Sequence, residues 1–157
     1  MTRSDGMTLV YVLHLVFAVL WVGGMAFGML VLRPALAELP GPQRLAVTQA
    51  AHRRFFLLVW HAMPVMLATG YALLFGWYGG FRGTGWHIHT MHLTGLLMSA
   101  LFLAIFFGPW KTMRAALAAG DMAAAAVASD KVRQLILANL ALGLLTVIVA
   151  GWGRFGG

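Results

Sequence analysis

Four stretches without a charged side chain decide what this chain can fold into. Asp, Glu, Lys and Arg are absent from residues 6–32, 55–81, 83–110 and 134–153, runs of 27, 27, 28 and 20 residues. An α-helix rises about 1.5 Å per residue, so roughly 20 residues cross the ~30 Å hydrocarbon of a bilayer. A soluble domain is roughly 25% charged and 45–50% apolar. Here the shares are 10% charged and 61% apolar, which excludes a soluble enzyme of ordinary design. The sequence predicts an all-α fold, an integral-membrane up-down four-helix bundle with both termini outside. A single four-span transmembrane domain fills residues 1–157, with spans at about 7–32, 55–77, 86–110 and 132–152.

The formal charge of +7 does not point to nucleic acid, because the basic residues are sorted by side. Arg33, Arg44, Arg53, Arg54, Lys111, Arg114, Lys131 and Arg133 fall in the first and third connections, against Arg3, Arg82 and Arg154 on the other side. This is the positive-inside pattern, and basic residues at that rim attract anionic lipid headgroups. It predicts a multi-pass protein of a bacterial inner (cytoplasmic) membrane, with the lipid bilayer as its first partner. The chain has no cysteine, so disulfides, thiolate metal sites and thiol nucleophiles are excluded. The apolar run from Met7 to Leu32 is too long for a signal-peptide core and reads as the first span.

Leu39-Pro40-Gly41-Pro42 reads as a turn, followed by a short surface helix over Gln43–Arg54. His52 then lies in a cytoplasmic connection beside Arg53 and Arg54. Gly79-Gly80 ends the second span, and the alanine-rich segment Lys111–Asp130 is predicted helical with a break at Gly120-Asp121. Trp77, Tyr78, Trp86, Trp110 and Trp152 stand near span ends, as interfacial aromatics do. No repeat links the two halves, which argues against a transporter built from inverted repeats.

Inside the spans the only titratable side chains that stand out are histidines: His14, His61, His87, His89 and His92. With no carboxylate at depth, a proton relay is disfavoured. His14 and His92 each lie about 10 Å in from the outer end of their spans, and His61 sits at the mirror-image depth. His14, Ala18, Trp21, Met25 and Gly28 share one face of the first span. His89, His92, Leu96, Ser99 and Leu103 share one face of the third, and Asn139, Gly143, Thr146 and Ala150 one face of the fourth. Gly24 and Gly28 form a small-xxx-small pair predicted to allow close helix contact, and Pro64 a bend in the second span. Two imidazoles at matched depth on different helices suit the axial positions of haem b iron. On that reading His14 and His92 are the ligands, His61 a lower ligand, proton donor or hydrogen-bonding residue, and Trp21, Tyr71 and Ser99 line the pocket. The protein would then carry electrons or act as a haem-dependent membrane oxidoreductase, with a quinone or a periplasmic redox protein as partner. The alternative is copper binding or passage, because His87, His89 and His92 with Met91 make a dense set of imidazole and thioether donors. Structural readings stand beside both: Trp21 and Tyr71 as core aromatics, the methionines as packing residues, and His87 as an interfacial residue. A homodimer through glycine-rich faces is compatible with either.

Leu13-His14-Leu15, Leu20-Trp21-Val22-Gly23-Gly24-Met25 and Leu32-Arg33-Pro34 resemble the opening helix of the CopD-like membrane family. His52-Arg53-Arg54-Phe55-Phe56 and Leu67-Ala68-Thr69-Gly70 resemble its second helix, and the helix count and spacing match along the whole chain. The resemblance implies copper uptake or tolerance, or, through the related HemJ-type protoporphyrinogen oxidases, haem-linked redox chemistry. His14 corresponds to the family's first-helix histidine. Many relatives carry a lysine on the third helix where this chain has His92, a departure that favours a histidine pair here.

Overall fold

The computed structural model describes residues 3–156. Arg3, counted above among the outer basic residues, begins a helix, but its side chain lies outside the described residues. Among the described residues every regular element is helical. Helix α1 covers Ser4–Glu38 and α2 covers Gly41–Gly76. A loop leads to α3, Trp86–Phe107, followed by α4, Pro109–Ala118, and α5, Met122–Arg154. Four helical stretches are long and apolar enough to cross a membrane: α1, α2, α3 with α4, and α5. Each encloses most of one charge-free run.

The breaks follow from the residues that make them. Leu39 precedes Pro40 and is extended, with ψ 147°, because the proline ring disfavours helical geometry in the residue before it. The helix resumes at Gly41 with Pro42 in its first turn, where a missing N–H costs nothing. The surface helix predicted over Gln43–Arg54 is not separate. No glycine or proline stands between Pro42 and the second span, so α2 runs unbroken for 36 residues and continues through Pro64. His52 is therefore a helical residue rather than a loop residue.

The third span differs from its predicted end at Trp110, because Gly108 separates α3 from α4. A Cβ there would lie 2.7 Å from the Ala104 carbonyl oxygen, and Pro109 restarts the helix. The break predicted at Gly120-Asp121 is present: Gly120 has φ +74°, and Asp121 caps α5 by accepting the Ala124 N–H at 2.9 Å.

Helix α1 departs from regular α-geometry twice, through π-helical turns at Val19–Gly23 and Gly28–Leu32. Such turns shift which side chains share a face. Trp21 and Met25 are buried, whereas a Cβ on Gly28 would meet nothing within 4 Å. Gly24 makes the predicted close approach, against the Phe55 ring; Gly28 does not.

One core joins all the helices. Towards the ends of the helices where the arginines cluster it is aromatic. Phe56 meets Trp110 edge-on with ring centroids 5.2 Å apart and Phe102 at 5.8 Å, while Trp60 meets Phe106 at 5.2 Å. Midway along, Gly143 lets α5 approach Val22 and Met98, and buried Asn139 donates its Nδ2–H to the Met98 carbonyl at 3.3 Å. Nearer the opposite end, Thr146 and Thr94 join α5 to α3 through a 2.7 Å hydroxyl pair. The polar stripe predicted on the fourth span thus faces other helices.

A cavity of about 970 Å³ opens at the arginine-bearing end, between the second half of α1 and the first turns of α2 and α5. Gly28 is part of its wall.

Candidate functional site

The histidines of α1 and α3 stand at the opposite end from the main arginine cluster, and two of them, His14 and His92, turn to α2. His14 Nδ1 lies 2.8 Å from Thr69 Oγ1. The single hydroxyl proton of Thr69 is directed to the Val65 carbonyl at 2.6 Å, so the His14 Nδ1–H donates and Nε2 holds the lone pair. Gly70 makes room for this ring: a Cβ there would stand 3.3 Å from His14 Cε1. His92 Nε2 shares a 2.9 Å hydrogen bond with the Tyr71 hydroxyl.

Thr69 and Tyr71 are two positions apart, so their levels differ by about 3 Å along α2. The matched depth read from the sequence is present in the contacts. The directions are another matter. Two positions turn a helix through about 200°, which places His14 and His92 against opposite sides of α2. Thr69 is buried, whereas Tyr71 is 38% exposed. The two imidazoles do not face each other across an open core, because a helix stands between them. This arrangement does not fit a haem sandwiched by His14 and His92.

The remaining histidines separate into groups. His89 and His92, one turn apart on α3, both rest on Phe81, with centroid distances of 5.7 and 5.0 Å. His89 Nε2 also makes a loose 3.4 Å contact with Thr84 Oγ1. His87 points elsewhere. Its ring packs so closely on α5 that a Cβ at Gly153 would overlap it, and its Nδ1 is buried without a hydrogen-bond partner. Met91 is partly buried, about 100° around α3 from His92. Of the four donors grouped in the sequence, the structure brings together His89 and His92. Among the described residues no group of three or more His, Cys, Asp or Glu is arranged to hold a metal ion.

His61 is exposed and donates its Nδ1–H to the Leu57 carbonyl of its own helix at 2.8 Å, the hydrogen-bonding role among those predicted for it. His52 lies flat against Phe56 and edge-on to Trp110, with centroids 5.4 and 6.0 Å away. Ser99 donates to the Gly95 carbonyl within α3 at 2.9 Å, and Trp21 is a core residue packed edge-on to Phe102. Tyr71, read as a core aromatic, is instead a partly exposed partner of His92.

The missed partners are Thr69 and Phe81. Thr69 stands in the Leu67-Ala68-Thr69-Gly70 segment, where a hydroxyl beside a glycine signals room for a facing side chain. Phe81 gave no signal, since it lies in a loop.

No curated protein and no solved structure matches the chain. Residues 49–153 match the family model described as CopD, copper resistance protein D, a stretch that includes His61, Tyr71, Phe81, His87, His89 and His92. With more than half of the chain covered and four apolar helices in place, this multi-pass membrane protein belongs to the copper resistance protein D family.

Proposed function

We propose that the protein handles copper in a bacterial inner membrane, with the ion as its cargo and His89 and His92 as its contacts. The observation that carries this reading is the meeting of these two imidazoles on Phe81, at the end of the bundle opposite the main arginine cluster, where Arg82 and Arg154 are the basic residues described. By the positive-inside pattern that end faces the periplasm, the side from which external copper arrives. Imidazole nitrogen suits copper, and affinity for divalent ions at such donors peaks at Cu²⁺. Two imidazoles with no third His, Cys, Asp or Glu beside them among the described residues form an open site, suited to receiving and releasing an ion rather than storing it. Tyr71 and Phe81 position the rings: the phenol fixes His92, and the phenyl ring stacks on His89 and meets His92 in a T-shaped contact. Family membership in copper resistance supports the same reading.

The experiment is Cu²⁺ titration of the purified protein in detergent, with the same sample scanned for visible absorption. The His89→Ala/His92→Ala variant is expected to bind copper about tenfold or more weakly, and cells producing it to lose any copper phenotype of the parent. Unchanged copper binding in that variant would sink the assignment. A Soret band in the purified parent would return attention to haem.

A further inference from the structure

The arginine-bearing cavity takes no part in the copper reading, yet it combines a charged rim with an apolar wall. At about 970 Å³ it lies at the upper end of the range for small-molecule sites, roughly 300–1,000 Å³. Its walls divide by chemistry. Arg33, Arg44, Arg54 and Arg133 border it together with a single carboxylate, Asp130. Asp130 is engaged by Arg133 Nε at 2.8 Å and more loosely by Arg33 at 3.8 Å. Arg44 and Arg54 have no ion-pair partner among the described residues. Four guanidinium groups against one carboxylate leave the rim with a net charge of +3. Deeper in, the lining is apolar: Met25, Gly28 and Met29 from α1, Phe55 from α2 and Ile136 from α5. The space beside Gly28 is open rather than filled, since a Cβ there would meet nothing within 4 Å.

We infer that this cavity binds one anionic phospholipid, its phosphate held at Arg44 and Arg54 and an acyl chain laid along the Gly28 wall. Both halves of the cavity are needed for that assignment. Guanidinium groups form charge-assisted hydrogen bonds with phosphate oxygens, and positive side chains at this level of a membrane protein attract anionic headgroups. A soluble anion would satisfy the arginines but leave the apolar wall unfilled. A lipid with a cationic headgroup would bring its own positive charge against a rim already carrying +3. A phospholipid with a net negative headgroup answers both, and the leaflet beside the arginines is its source. The inference rests on the cavity and its charges, so it stands apart from the copper assignment.

The test is native mass spectrometry of the delipidated full chain, with phosphatidylglycerol and phosphatidylcholine of identical acyl chains offered in turn. One phosphatidylglycerol is expected to be retained, about tenfold or more over phosphatidylcholine. Two variants separate the halves of the site. Arg44→Gln/Arg54→Gln removes charge from the rim and is expected to abolish the preference. Gly28→Leu leaves every arginine in place but fills the open wall, and is expected to lower retention of phosphatidylglycerol about tenfold. Equal retention of the two lipids by the parent overturns the inference, as does a preference that survives loss of both arginines. A Gly28→Leu variant that folds and retains the lipid fully would reduce the cavity to a surface rim for headgroups. Displacement of the lipid by inorganic phosphate would identify a free-anion site instead. Should Gly28→Leu fail to fold, the arginine pair, exposed on the rim, decides the matter alone.

Discussion

At the arginine-bearing end, Phe56, Trp60, Phe102, Phe106 and Trp110 interlock edge to face, and Phe56 and Trp110 are each 2% exposed. At the histidine-bearing end the helices are joined by polar pairs, His14 with Thr69 and His92 with Tyr71, and Phe81 is 36% exposed. The first end gains its cohesion from close contact among large rings, which dispersion and edge-to-face electrostatics reward without any polar atom. The second uses groups that can exchange partners. Imidazole and hydroxyl can trade a hydrogen bond for a metal or a proton; a phenyl ring cannot. Close-packed rings and exchangeable polar groups therefore stand at different ends of one bundle.

That contrast is most sharply broken or upheld by truncating an aromatic at each end. Trp110→Ala is expected to cost about 3–5 kcal/mol, the range for emptying a packed aromatic site, seen as a large fall in the unfolding temperature in detergent. Phe81→Ala is expected to cost less than about 1 kcal/mol, because the ring is partly exposed already, while weakening copper binding. Equal losses of stability would erase the distinction between the ends.

A smaller effect is expected where the two regimes meet. Thr146 and Thr94 tie α5 to α3 through one hydroxyl pair, and each hydroxyl also has a carbonyl acceptor in its own helix. With that local alternative available, a Thr94→Val, Thr146→Val double-mutant cycle should give a coupling of about 0.6 kcal/mol, within the usual range for membrane helices. A coupling several times larger would show polar pairs to be as cohesive as the rings.

The smallest effect belongs to His61. Its imidazole is exposed and bonded to the same helix, so His61→Ala should change stability by no more than about 0.5 kcal/mol. Copper affinity should be unchanged in the same titration. A loss of binding there would move the site away from His89 and His92.

The four charge-free runs were enough to read the helices, because a bilayer imposes one length on every span. The breaks at Pro40 and Gly120 were legible for local reasons, a ring before which the chain extends and a glycine with positive φ. Other features depended on neighbours. Nothing in Val19–Gly23 or Gly28–Leu32 announces a π turn, and those turns separate the roles of Gly24 and Gly28. Counting residues placed His14 and His92 at one level correctly, but depth says nothing of direction. The identity of the helix between them decides whether they meet. For His87, two positions along α3 from His89, helical rotation already implies a different face, and the close packing on Gly153 completes the separation.

Helix α2 carries parts of both ends: Arg44 near its start and Tyr71 near its finish. Those two positions are about 40 Å apart along one axis, with Pro64 the only proline inside the helix. Because the helix is continuous, any displacement of its arginine-bearing end as a rigid rod would be carried to the phenol bonded to His92, with no relay of side chains in between.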